Sequence, residues 1–197
     1  MEVLVRLDDL IEYVMIFHNL MQKKTEIKAL LEFMAPRAPK TILEIGTAGG
    51  GTLYLFTTAF KPDLIISVDL PGGPFGGGYS EQRIALYESF GNVKLIRDDS
   101  HKPETYLKVK ELLNGKQLDM LFIDGDHTYE GVKEDFRMYS EFVKKEGVIV
   151  FHDIHDQAGT ECQVKNFWKE LRLIHDSMEI IIDPEQLGAG IGLIFKH

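Results

Sequence analysis

Two apolar runs in this chain end in acids and imidazoles. Leu118 to Ile123 gives way to Asp124, Asp126 and His127, and Gly147 to Phe151 gives way to His152 and Asp153. Carboxylates and imidazoles delivered together at two strand ends can take a proton from a hydroxyl, hold a divalent cation, or do both. As mere structure such a group would be costly, because like charges repel and burial penalises every ionised form. The pairing therefore predicts an enzyme. His155 and Asp156 follow in the outgoing loop.

A second set of residues suits a cofactor. Glu44-Ile-Gly-Thr-Ala-Gly-Gly-Gly-Thr52 closes an earlier apolar run. Its glycines allow the backbone to approach a ligand and to open a helix N-terminus toward it. Ala48 breaks the G-x-G-x-x-G dinucleotide pattern, and no Gly-Lys-Ser/Thr follows to make a P-loop. Asp69 ends the next run, about twenty residues on, where an acid can accept both hydroxyls of a ribose. Asp98-Asp99-Ser100-His101 ends the third run. These side chains suit an adenine edge, or alternatively a turn that caps the following helix.

The elements that must place these residues alternate. Strand-like runs at Thr41–Ile45, Leu64–Val68, Val93–Ile96, Leu118–Ile123 and Val148–Phe151 are separated by helical patterns. Those patterns lie at Gly50–Ala59, Ser80–Phe90, Glu104–Leu113 and from Tyr129 toward Val143, with another at Val164–Leu173. Such alternation predicts βαβ units and a mainly parallel sheet, with helices on both faces and a ligand site outside the carboxyl ends of the strands. Glu179–Ile182 and Ile191–Phe195 have no helix between them and are expected to pair antiparallel. Leu7 to Met34 reads as helix, ended by Pro36 and Pro39. Residues 1–38 are thus expected to be a helical cap or homodimer segment, and 39–197 the catalytic domain. Pro71 to Gly78 is glycine-rich and reads as a mobile loop able to close over substrate.

Taken together, Glu-x-Gly-x-x-x-Gly, the acid after strand two, Asp-Ser after strand three, and Ile-Asp-Gly-Asp-His-Thr-Tyr-Glu-Gly with Val-Phe-His-Asp resemble a class I S-adenosylmethionine-dependent methyltransferase. The resemblance is to the small branch grouped with macrocin O-methyltransferase and cephalosporin-hydroxylase-like proteins, and it runs from about residue 41 to the C-terminus. It implies a Rossmann-like seven-stranded sheet whose last strand is inserted antiparallel. It implies that Glu44, Gly46, Thr47 and Gly49 line the methionine end of S-adenosylmethionine, that Asp69 holds the ribose, and that Asp99 and Ser100 meet the adenine, with Asp124 bordering the cofactor. In metal-dependent relatives an Asp after strand four and an acid pair after strand five hold Mg²⁺. Asp124 and Asp153 match two of these positions, but His152 or Ile154 stands at the third. Imidazole favours a softer divalent cation, or none.

The expected reaction is O-methylation of a small-molecule hydroxyl of sugar or natural-product type. His127 is the first candidate base and His152 the second. The bulk properties agree. A formal charge of −9 over 197 residues disfavours nucleic acid as a partner. No basic leader or long apolar run points to export or a membrane, and Cys162, the lone cysteine, suits a reducing cytoplasm. Two rival readings are a nucleotide-binding oxidoreductase on a related sheet and a non-catalytic cofactor-binding or assembly protein.

Overall fold

The computed structural model describes residues 6–72, 80–155 and 159–197. Strands β1 (Thr41–Ile45), β2 (Leu64–Asp69), β3 (Val93–Arg97), β4 (Leu118–Ile123) and β5 (Val143–His152) run parallel, and β6 (Ser177–Ile180) and β7 (Ile191–Phe195) complete a seven-stranded sheet in the order β3-β2-β1-β4-β5-β7-β6. The last strand, β7, lies antiparallel between β5 and β6. Both expectations for the sheet hold.

The central strands β1, β2 and β4 and the second half of β5 are mostly apolar and buried because both faces are covered, whereas β3 exposes Lys94 and Arg97. Side chains alternate across the sheet. Ile42, Met120, Phe122, Val148 and Val150 point to one core, while Leu43, Leu121, Ile123, Ile149 and Phe151 point to the other. The first core is closed by α3 (Gly51–Phe60), through Leu53 and Phe56, and by Tyr87 of α4 (Glu81–Ser89). The second is closed by α5 (Pro103–Leu113), α6 (Tyr129–Tyr139) and α7 (Val164–Leu171), through Val109, Tyr139 and Trp168.

The N-terminal segment departs from the sequence reading. It is not one helix but two, α1 (Leu7–Phe17) and α2 (Lys24–Met34), broken at residues 18–23 with Asn19 in the left-handed region at φ 53°. Apolar periodicity resumes after the break but roughly 160° out of phase at about 100° per residue, a sign of the break that the apolar stripe taken as one run conceals. Ile11, Val14, Ile27, Leu30 and Met34 join the first core and are almost wholly buried, so both helices cover the sheet. Smaller departures occur late in the chain. Val143 begins β5 rather than ending a helix, and β6 lies two residues earlier than expected, with Ile182 exposed. The glycine-rich stretch 71–78 falls mostly on 73–79, outside the described residues, as does Asp156.

A buried carboxylate ties the two ends of the chain together. Glu26 of α2 is fully buried; its Oε1 accepts from Gln186 Nε2 at 2.5 Å and its Oε2 from the Gly190 amide at 2.9 Å. Replacing Glu26 with Ala strands the Gly190 amide and leaves Gln186 Nε2 only its 3.0 Å bond to the Gly188 carbonyl, which is expected to cost about 2–4 kcal/mol. Urea unfolding checks this. An unchanged midpoint would show that the tie adds no stability.

Candidate active site

The five parallel strands end on one rim, and the predicted site residues gather there. A cavity of about 350 Å³ opens at the ends of β1, β4 and β5, within the range of about 300–1,000 Å³ usual for small-molecule sites. Gly46, Thr47, Ala48 and Gly49 form one wall, and Asp124, Gly125, His127, His152 and Asp153 form another. Asn19, Met21, Gln22 and Lys23, from the break between α1 and α2, and Leu187–Ala189, from the β6–β7 connection, also line it. The last two groups escaped sequence reading. Only Asn19, of a residue type that tolerates the left-handed region, carried any local sign.

Asp124, His127, His152 and Asp153 do come together. The Nε2 of His127 lies 3.3 Å from Asp124 Oδ1 and 3.5 Å from Asp153 Oδ2. The Nδ1 of His152 lies 3.3 Å from the same Asp124 oxygen and 3.2 Å from the same Asp153 oxygen. The second oxygen of each carboxylate is held from behind. Gln22 Nε2 donates to Asp124 Oδ2 at 2.8 Å, and the Ala189 amide donates to Asp153 Oδ1 at 3.1 Å. The N-terminal break and the β6–β7 connection are therefore parts of the site.

Burial opposes charging of both imidazoles, but the two carboxylates outweigh it. His152 is pushed up to about 10, and His127 is also raised. Burial would raise Asp124 too, but the imidazoles hold it well below the usual carboxylate range. Opposite charges thus offset the repulsion that makes such a cluster costly.

Behind the glycine turn the chemistry differs. Glu44 is wholly buried; Ser67 Oγ donates to its Oε2 at 2.8 Å, while Oε1 has no hydrogen-bond partner among the described residues. Glu44 stands behind the cavity wall rather than on it. Burial, reinforced by the charges of Asp69 and Asp124, raises its carboxyl to about 8, against the pull of the Ser67 hydroxyl. A carboxyl raised on folding favours the folded state fully below its unfolded value of about 4.5. That contribution is then lost as pH climbs through about 8. The ligand-free protein should therefore melt at lower temperature as pH rises across this window, and Glu44→Gln should flatten the slope. Parallel slopes for the two proteins would remove Glu44 as the cause.

Asp69 uses Oδ1 to accept the Thr47 and Ala48 amides at 3.0 and 3.2 Å, so it fixes the shape of the glycine turn. Asp99 and Ser100 sit after β3, apart from the cavity wall. Asp99 Oδ1 accepts the His101 amide at 2.9 Å, and His101 reaches the buried Asp135 at 3.2 Å. Neither Asp99 nor Ser100 caps α5, whose N-cap is Lys102 with no side-chain capping bond.

The glycines answer to protein neighbours. A Cβ on Gly46 would lie 1.9 Å from the Asp124 carbonyl oxygen; on Gly49, 2.6 Å from Asn19; on Gly51, 2.5 Å from Leu20. Gly46 lets β1 and β4 end side by side, while Gly49 and Gly51 admit the N-terminal break.

A family model described as a methyltransferase domain matches residues 43–154, which is more than half of the chain. An uncharacterized protein of Acanthamoeba polyphaga mimivirus is 35% identical over 119 residues, 59% of this chain and 52% of that protein. A second uncharacterized protein, from Sinorhizobium fredii, is 27% identical over 162 residues, 78% of this chain but 17% of that protein. The chain thus spans about half or less of these curated relatives. Among solved structures, the O-methyltransferase TomG from Streptomyces achromogenes, in complex with SAM, superposes with a TM-score of 0.66 at 18% identity, covering 99% of this chain and 93% of that one. An O-methyltransferase from Bacillus cereus in complex with SAH gives 0.65 at 14% identity, covering 99% and 94%. At these identities the two structures speak to the fold.

Proposed function

The chain belongs to the methyltransferase-domain family, and on that footing we propose that it moves the methyl group of S-adenosylmethionine to a hydroxyl of a small molecule of sugar or natural-product type. One observation carries the reading. A single cavity is walled on one side by the glycine turn and on the other by two imidazoles and two carboxylates. Binding of S-adenosylmethionine and SAH by the similar solved O-methyltransferases supports the choice of cofactor.

When bound, the cofactor supplies an electrophilic sulfonium methyl. The chain's task is to align an acceptor oxygen with it and to remove the acceptor's proton. Alignment alone is worth ~7–11 kcal/mol. Gly46, Thr47 and Gly49 are assigned to the methionine end, with Glu44 behind them. Asp69 is assigned to the ribose, and Asp99 and Ser100 to the adenine, from their places at the strand ends. Asp124 stands between the cofactor and acceptor sides. His127 is assigned as the base because its side chain is 26% exposed, against 7% for His152, so the acceptor can reach it. In its neutral form it takes the proton. His152, enclosed between Asp124 and Asp153, orients that pair.

The donor set also fits a divalent cation. His152 is a buried imidazole whose Nδ1 faces both carboxylates without an aligned hydrogen bond. Asp124, Asp153 and His152 would hold the ion, which would stabilise the acceptor's oxyanion by several kcal/mol.

Among the described residues no helix is long and apolar enough to cross a membrane. The lone thiol suits the cytoplasm, where we place the protein. The outer face of α1 exposes Ile16 and Phe17, at 73% and 62%, which supports self-association there.

Isothermal titration with S-adenosylmethionine and with NAD tests the reading. Binding of the first and not the second is expected. The reverse result would transfer the chain to the oxidoreductases.

A further inference from the structure

We propose that Lys23 binds a carboxylate carried by the methyl acceptor, so that the cavity selects an apolar hydroxy acid over a neutral hydroxyl compound. The inference rests on the proposed methyl transfer and narrows its acceptor.

Three lysines stand at the start of α2, and one is left over. Lys24 pairs with Glu12, and Lys28 pairs with Asp8 at 2.8 Å, so both tie α2 to α1. Lys23 has no ion pair and no side-chain hydrogen bond among the described residues, yet it lines the cavity. No other lysine or arginine is found among the described residues that line it. Acids outnumber lysines and arginines 31 to 22 in this chain, so the missing partner is not for want of acids. The acids of the cavity wall are engaged elsewhere. Asp124 faces both imidazoles and Gln22, and Asp153 faces both imidazoles and the Ala189 amide.

The fold puts Lys23 beside the acceptor wall. Residues three apart share a helix face, and Glu26, three residues on, is bonded to Gln186 and to the Gly190 amide. Gln22, the residue before, holds Asp124. Lys23 thus lies between the supports of Asp124 and Asp153, whereas Asn19 and Leu20, at the other end of the break, pack on the glycine turn. Two large apolar side chains flank it on the cavity wall, Met21 at 54% exposed and Leu187 at 74%. An acceptor with an apolar body would cover both, and the removal of that surface from water favours its binding. A single ammonium is a compact point charge that suits one carboxylate. A phosphate brings more than one charge and three acceptor oxygens, more than Lys23 meets by itself.

Calorimetric titration of the full chain, saturated with S-adenosylhomocysteine, provides the test. The probes are para-hydroxyphenylacetate, its amide, and glucuronate. The aromatic acid should bind about tenfold more tightly than its amide, the effect of one hydrogen bond between charged groups, and more tightly than the sugar acid. Lys23→Gln should erase the preference for the acid and leave the affinity for S-adenosylhomocysteine unchanged. Residue 23 makes no side-chain capping bond to α2, so the variant should fold. Lys24→Gln, which removes a neighbouring charge already paired with Glu12, should keep the preference. The proposal is overturned if the aromatic acid does not outbind its amide, if glucuronate binds more tightly, or if the preference survives in Lys23→Gln or is lost in Lys24→Gln. A weakened S-adenosylhomocysteine affinity in Lys23→Gln would also overturn it, by placing the ammonium on the cofactor's own carboxylate. Titration of the wild type with S-adenosylhomocysteine alone separates the two claims. Its failure to bind ends the methyltransferase reading, whereas binding with no preference for the acid ends only the proposal for Lys23.

Discussion

Replacing His127 with Ala is expected to lower turnover by about 10²–10⁴-fold, the usual contribution of a positioned general base, while the affinity for S-adenosylmethionine stays unchanged. The separation follows from where the residue stands. His127 faces Asp124 and Asp153 on the wall of the cavity proposed for the acceptor, whereas the cofactor is assigned to the turn from Gly46 to Gly49. The local backbone does not depend on the ring. Thr128, not His127, caps α6 by accepting the Gly131 amide, and the His127 contact to Gln163 is made by its main-chain carbonyl. The variant should therefore fold normally. Stopped-assay kinetics alongside titration calorimetry check both halves. Full activity would remove His127 as the base, and lost cofactor affinity would place it on the wrong side of the transfer.

Among the described glycines, Gly46→Ala should be the most damaging added methyl group. The added carbon would sit 1.9 Å from the Asp124 carbonyl oxygen and 2.3 Å from its carbonyl carbon, at a backbone φ of +89°. Both contacts are to main chain, so no side-chain rotation relieves them. Either the glycine turn or the end of β4 must move, and the two carry the opposite walls of the cavity. Overpacking together with the disfavoured φ predicts a loss of about 2–5 kcal/mol, with cofactor binding lost as well. Gly115→Ala is the matched control, since Gly115 has φ +81° and nothing within 4 Å of the added carbon. It should lose only the conformational part, ~1 kcal/mol. Equal losses in thermal or urea unfolding would show that backbone conformation, not the contact with Asp124, governs Gly46.

The sheet was readable because its strands are buried on both faces. Predominantly apolar runs mark β1, β4 and β7 to the residue, even with Glu44 and Asp119 inside them, and acids or imidazoles at several run ends mark the rim. What could not be read depends on contacts between distant parts of the chain. Gln22 meets Asp124 across 102 positions, and Glu26 meets Gly190 across 164. A single glutamine or glutamate in an amphipathic run has no spacing pattern to announce such a partner. The helix break at residues 18–23 was missed for a different reason: the buried positions Ile27 and Leu30 of α2 stand roughly 160° out of phase with Ile11 and Val14 of α1 at about 100° per residue, a shift that counting apolar residues alone passes over. The glycine turn was legible as a tight approach, but Asn19, Leu20 and the Asp124 carbonyl account for much of that need.

The central claim is that one cavity sets a cofactor methyl group against the His127–Asp124 side. A crystal structure of the protein with S-adenosylhomocysteine tests it most directly. The account predicts the methionine moiety against Gly46–Gly49, the ribose at Asp69, and the sulfur turned toward His127 and Asp124 with room beside it for an acceptor oxygen. A sulfur directed away from that pair, or a ligand bound elsewhere, would contradict it.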